Sequence, residues 1–317
     1  MTTHQYSTGG QNISSQFGMP LYGIACMPPF TGNYFWVDET NGSDGNTGGP
    51  QDPFKTLTQA LASCQANNND VVFMTGSVHT ATTIAWNLNK THLIGLGAPS
   101  QNSRSRIAIT NSALTTLISP LVNVTGAGCI FQNIEVFHGN AQATTGEVAW
   151  AEAGGQNYYK NCNFIQTGNA ITSALAATRA LTIGKDECLF EDCTIGGDTN
   201  VRATNANATL EMVTGAARTV MRRCVFQSWV TDASDTQILI QAGGMDRYLL
   251  LEQCTLHNFG TTMTVAITNS GGSPGGDVVL NNCIVIGATA IATSGNVFVN
   301  QISAAGATTT YVGLLAT

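Results

Sequence analysis

One short frame returns five times in this chain: YYKNCNF (158–164), LFEDCTI (189–195), VMRRCVF (220–226), LLEQCTL (250–256) and VLNNCIV (279–285). Its cysteines, at 162, 193, 224, 254 and 283, are spaced 31, 31, 30 and 29 residues apart. A fixed period in that range is the signature of a solenoid, in which each repeat buries its apolar face only by stacking on its neighbours. The frame FQNIEVF (131–137) extends the series upstream, with Ile134 in the cysteine slot.

Aligned on that slot, the frames define columns. Three residues before it stand Phe131, Tyr159, Phe190, Met221, Leu251 and Leu280; two after it stand Val136, Phe164, Ile195, Phe226, Leu256 and Val285. Strand side chains alternate between faces, so the slot and the position two later share a side, while the position three earlier is out of phase. Phase returns if the two polar residues between them make an outward corner. The residue just before the slot is Asn133, Asn161, Asp192, Arg223, Gln253 or Asn282, and the residue before that is also polar. Each frame therefore reads as strand, corner, strand, with apolar side chains turned inward. Repeated, this is the coil of a parallel β-helix. Leucine-rich, ankyrin and tetratricopeptide repeats need helical segments that these frames lack. The slot residues, Ile134, Cys162, Cys193, Cys224, Cys254 and Cys283, form the expected core ladder of small, soft side chains. Asn133, Asn161, Asp192, Gln253 and Asn282 form the expected polar ladder at the corner.

Composition agrees with a turn-rich β body. Charged residues make up 10% of the chain, against about a quarter in typical soluble domains, and glycine occurs 34 times. The net charge is −7, and no basic cluster exceeds the pair Arg222-Arg223, which argues against nucleic acid as a partner. No apolar run is long enough for a membrane helix. The opening MTTHQYSTGG has neither a basic nor an apolar signal region, so a protein made and kept in the cytoplasm is expected. Nine cysteines in a chain of 317 residues do not resemble a small disulfide scaffold, so free thiols are expected.

Four regions are expected along the chain. Residues 1–34 form an extended arm whose Met19, Leu21, Tyr22, Ile24 and Phe30 are candidate docking residues. Residues 35–66 hold an entrance strand, a turn-rich loop and an amphipathic helix from Phe54 to Gln65 with Leu57, Ala60, Leu61 and Cys64 on one face. That helix would cap the open end of the stack. Residues 67–300 form about seven or eight coils of the β-helix, and 301–317 a terminal cap.

The segment YFWVDETNGSDGNTGG, followed by DPFKTLTQALASC, DVVFMTGSVHTATTI and HLIGLG, resembles the entrance of pectate-lyase-like right-handed parallel β-helix proteins. The resemblance covers about residues 35–300. It implies an all-β, single-chain, right-handed parallel β-helix, and it specifies the superfamily rather than an activity. With its short arm and Met-Pro-rich lead-in, the chain looks more like bacteriophage virion structural proteins of the head-decoration or minor-capsid type. That resemblance implies a homotrimer bound to capsid or other virion proteins, assembled in the host cytoplasm, with host surface glycan as a further partner and no cofactor. The alternative is a tail protein that binds or cleaves glycan; a secreted pectin-type lyase ranks third.

No catalytic or metal set emerges from the residues. Neither the column three after the slot (Phe137, Ile165, Gly196, Gln227, His257, Ile286) nor the next (His138, Gln166, Gly197, Ser228, Asn258, Gly287) contains a carboxylate. Asp186, Glu187, Glu191 and Asp192 cluster, but within one frame. The turn containing Asp38, Asp44 and Asn46 faintly resembles a calcium loop but lacks the closing bidentate glutamate. His138 and His257 are candidates for a glycan-binding face. Trp36, Trp86, Trp150 and Trp229 are candidates for sugar stacking, with core or interface packing the simpler role. A glycan-cleaving protein would have to gather Glu135, Glu152, Asp198 and Asp232 in some pairing through its loops.

Overall fold

The computed structural model describes residues 32–300, apart from 99, 101–103, 111–114, 142–143, 166–167, 204–207, 271–275 and 293–295, together with the strand pairs 15–16, 19–20 and 314–315. Three sheets of eleven, eight and seven strands run along the molecule, each strand pairing in parallel with its counterpart one coil away except the last strand of the first. The first sheet begins at Tyr34–Asp38 and passes through Tyr158–Lys160, Leu189–Glu191, Thr219–Arg222, Tyr248–Glu252 and Asp277–Asn281 to Val297–Asn300. Leu314–Leu315 closes it, antiparallel to Val297–Asn300. The second sheet carries the strands after each corner, among them Asn163–Ile165, Thr194–Gly196, Val225–Ser228, Thr255–Asn258 and Ile284–Ile286. The third includes Val148–Glu152, Arg179–Ile183, Ala208–Met212, Thr236–Ile240 and Ile267–Asn269.

The corner differs from the two-residue turn expected from the sequence. The residue two before the slot still belongs to the first-sheet strand, and a single residue turns the chain. That residue is left-handed in every frame, with φ of 55° at Asn133, 51° at Asn161, 56° at Asp192, 51° at Arg223, 56° at Gln253 and 53° at Asn282. One left-handed residue is enough to restore the inward phase. Such a conformation costs an L-residue roughly 1–2 kcal/mol, least for Asn and Asp, whose short side chains bond locally. A second left-handed column, Gly128, Gln156, Glu187 and Arg218, stands at the other end of the first-sheet strands. The coils are thus bent at fixed, stacked positions.

Stacking in register fills the interior. Phe131, Tyr159 and Phe190 lie face to face, with centroids 4.9 and 4.4 Å apart and planes within 9° and 5° of parallel. Met221, Leu251 and Leu280 continue the column, all buried. Phe164, Ile195, Phe226 and Leu256 form a second fully buried column after the corner. The slot thiols lie between them. Cys162, Cys193, Cys224, Cys254 and Cys283 each donate to the carbonyl three before the slot on the preceding coil, at 3.3–3.6 Å. Ile134 and the first four thiols are buried, and Cys283 is partly exposed. Burial pushes the Cys193 thiol far up. Cys254 is pushed up to about 12, chiefly by its hydrogen bond with Cys224. Cys193 and Cys254 are therefore protonated donors at neutral pH, unsuited to nucleophilic work.

The first helix, α1, is Leu57–Ser63, shorter than the Phe54–Gln65 span expected. Phe54 instead bridges to Val37, and Thr56 caps the helix by accepting from Gln59 N at 3.2 Å. Leu57, Ala60 and Leu61 face the core. The arm residues Leu21, Tyr22, Ile24 and Phe30 lie outside the described residues, as does the side chain of Met19, whose backbone pairs with Gln16.

If the stacked aromatic column carries the fold, Phe190→Ala should cost about 3–5 kcal/mol in urea unfolding, since the neighbouring coils are too constrained to close the cavity. A loss below about 1 kcal/mol would show that the column is not tightly packed.

Candidate functional site

The coil-to-coil register that builds the core also aligns the outward side chains at the corner. Glu191 pairs with Arg222, and Arg222 with Glu252, as neighbours on adjacent strands. Arg222 Nε lies 2.5 Å from Glu252 Oε2, and its Nη1 3.7 Å from Glu191 Oε1. Arg223 grips Asp192 with two nitrogens, at 2.7 and 3.2 Å. The Tyr158 hydroxyl donates to Glu191 at 2.6 Å. With Gln253, Asn281 and Asn282, the four charged residues Glu191, Arg222, Arg223 and Glu252 line an open groove of about 560 Å3. It offers guanidinium and amide donors beside carboxylate and amide acceptors, all partly exposed.

The acidic frame is answered one coil later. Arg218 contacts Asp186 at 3.1 Å and Glu187 at 3.0 Å, while Arg222 and Arg223 meet Glu191 and Asp192. The period alone makes this legible, because 31 residues separate Glu187 from Arg218, Glu191 from Arg222 and Asp192 from Arg223.

The corner ladder divides into two parts. Asn133 turns inward on its neighbours, donating to Gly95 O at 2.9 Å and Gly97 O at 2.6 Å. Asn161 donates to Asn133 at 3.1 Å and accepts from Arg104 at 2.6 Å. These two amides are spent on the protein itself. Gln253 and Asn282 line the groove, and Asp192 adjoins it through its contact with Arg223.

Other candidates separate clearly. His138 is fully buried rather than on a glycan-facing surface. Its Nε2 lies 2.5 Å from Ile118 O and 3.3 Å from Glu147, beneath the loops that join the second and third sheets. Glu147 accepts from Ile118 N and from Asn140, and burial raises its pKa. Glu152 is also enclosed, accepting from Gly154 N, Gly155 N, Asn157 and the Tyr159 hydroxyl, with burial again raising its pKa. Glu135 is buried against Arg106 at 2.5 Å. Asp232 caps Ser234, and Asp198 is exposed on the neighbouring coil's loop. Glu135 and Glu152 are thus both buried, each with its own partners. Asp38 and Asp44 spend their oxygens on turn and helix-start donors, and among the described residues no three His, Cys, Asp or Glu side chains gather to hold a metal. Trp36, Trp86 and Trp150 are buried, whereas Trp229 is 41% exposed, and His257 is partly exposed.

No protein-family model matches the chain, and neither does any curated protein sequence. Among solved structures, it is similar to a pectin methylesterase variant in complex with a hexasaccharide. That likeness is at 15% identity, with a TM-score of 0.51, covering 90% of this chain and 92% of the other. It is also similar to the deglycosylated pectin methylesterase of Aspergillus niger (15% identity, TM-score 0.48, 86% and 84% covered). A third is the pectate lyase Pel9A (12%, 0.46, 84% and 78%). The likeness is one of fold alone: the chain is a right-handed parallel β-helix. The virion resemblance has no counterpart in these three structures.

The buried histidines make stability depend on pH. Burial lowers His138 and takes His92 down to about 4, against an ordinary value of 6.5, while His92 Nδ1 accepts from Ile130 N at 3.0 Å. Below pH ~6.5 the unfolded chain therefore binds more protons than the folded one, so stability falls as pH drops from ~6.5 toward ~4. Between pH ~7.5 and ~5, the wild type should lose about 2 kcal/mol more than His92→Gln in urea unfolding. Equal losses would place a charged imidazole in the fold.

Proposed function

We propose that this chain is a carbohydrate-binding β-helix, with the corner groove of its last coils as the binding site. The observation that carries this reading is the in-register row of Asp192, Arg223, Gln253 and Asn282 beside Glu191, Arg222, Glu252 and Asn281. It presents fixed forks of donors and acceptors along an open groove. Neighbouring hydroxyls of a sugar ring match such forks, which hydrogen-bond two adjacent oxygens at once. Solenoid stacking repeats the fork from coil to coil, as a repeating polymer requires. The solved structures similar in fold include enzymes named for pectin, one of them holding a hexasaccharide, which fits this class of ligand.

The proposal is binding without cleavage. A glycosidase acid must be reachable and hold its proton near neutral pH. The carboxyls raised by burial, Glu147 and Glu152, are enclosed, and those in the groove are held by arginines. Attachment to a particle through residues 1–34 is a separate proposal, carried by the sequence pattern of that segment alone.

A printed array of defined oligosaccharides, followed by calorimetry on the retained ones, tests the reading. Arg223→Ala and Gln253→Ala should weaken binding about tenfold or more while leaving the urea midpoint unchanged. An array without retained sugars, or variants that bind like wild type, would remove it.

A further inference from the structure

Among the described residues, seven large apolar side chains are exposed, and four of them (Trp229, Phe259, Ile284 and Ile286) belong to the last three second-sheet strands or the turns after them. Trp229 and Phe259 each follow their strand directly, 41% and 47% exposed. Ser228 pairs with Asn258, and Phe259 N donates to Ser228 O at 2.8 Å, so the ladder continues past the strand ends. The two rings therefore start from adjacent positions about 4.8 Å apart.

Both rings are propped rather than collapsed. Phe259 rests on the His257 imidazole, with centroids 3.9 Å apart and planes tilted by 38°. Trp229 lies against Gly260, where a Cβ would meet Val230 O at 2.0 Å and Trp229 Cδ1 at 2.7 Å, so the close approach of this turn needs glycine. The strands leading to the rings carry both polar and apolar side chains on the same outward side. Gln227 lies beside His257 and Val225 beside Thr255, and the Gln227 Oε1 is buried without a hydrogen-bond partner. Flat exposed rings above donors and acceptors suit a ligand with both an apolar face and hydroxyl edges. A pyranose has this form, its C–H face meeting the electron-rich ring face.

We infer that Trp229 and Phe259 form a stacking platform for sugar rings, and that the platform and the corner groove hold two ends of one oligosaccharide lying along the second-sheet strands. The inference rests on the carbohydrate-binding reading above and adds the length and course of the ligand. Six residues of strand and turn separate Arg223 from Trp229, about 20 Å at strand rise. A single sugar cannot span that distance. A chain of several can.

The test uses the full-length protein and two length series, from monosaccharide to octasaccharide, of an anionic α-1,4-galacturonan and a neutral β-1,4-glucan, plus any other sugar retained on the array. Affinity should rise with length until the chain reaches both places. Trp229→Ala and Phe259→Ala should each lower the affinity of the long members about tenfold and abolish the length dependence, and Tyr248→Ala, on the first sheet, should change nothing. The long sugars should also shield tryptophan emission from acrylamide, and this shielding should vanish in Trp229→Ala. Long-chain binding unaffected by either ring variant would overturn the platform while leaving the groove intact. Absence of binding by every sugar would remove the carbohydrate reading and the platform together. Ring variants that alter the sedimentation of the free protein but not its sugar affinity would assign the rings to an interface between copies, and the platform would fail.

Discussion

Everything in this molecule depends on one left-handed residue per coil whose amide still bonds to the next coil. Asn161 N reaches Glu191 O at 2.9 Å, Asp192 N reaches Arg222 O at 3.0 Å, and Arg223 N reaches Glu252 O at 2.9 Å. The turn therefore does not interrupt the ladder between coils. A bend that kept its backbone pairs unsatisfied would cost more than the left-handed conformation itself. Because the ladder passes through the corner, the register of the first sheet fixes the register of the second. Ring stacks, thiol column and charged rows follow from that single alignment.

The same constraint explains what the sequence made legible. Apolar columns are visible because burial restricts each to a narrow choice, so the frame of Phe190, Cys193 and Ile195 predicts that of Met221, Cys224 and Phe226. The corner was visible as a polar position, but its length was not. Lys160 and Asn161 are both polar, and only backbone φ distinguishes the last strand residue from the left-handed one. Arg223 and Gln253 hid it further, since neither is a usual left-handed residue. The match of Glu187 and Glu191 with Arg218 and Arg222 was present in the period, yet a cluster read within one frame looks like excess charge rather than half of a coil-to-coil pairing.

Surface function was less legible, because outward residues are free of the packing that makes columns regular. His138 and His257 look alike as isolated histidines. Long loops enclose the first with Glu147 and Asn140, whereas the second lies on a strand followed by a short turn and supports Phe259. Likewise Trp86 and Trp150 point into the core from third-sheet strands, whereas Trp229 stands in the turn after a second-sheet strand and stays exposed. Loop length, which the period does not determine, decides which outward residues stay accessible. The strands ending at Ser228 and Asn258 lead straight into turns, and there Trp229 and Phe259 stay exposed.

Hydrogen exchange at the corner amides tests the central claim most directly. If the ladder runs unbroken through the left-handed residues, the amides of Asn161, Asp192, Arg223 and Gln253 should exchange as slowly as those of the flanking strands. Exchange at the rate of exposed turns would mean that the coils are joined only along their straight segments, and that the corner rows are not held in register.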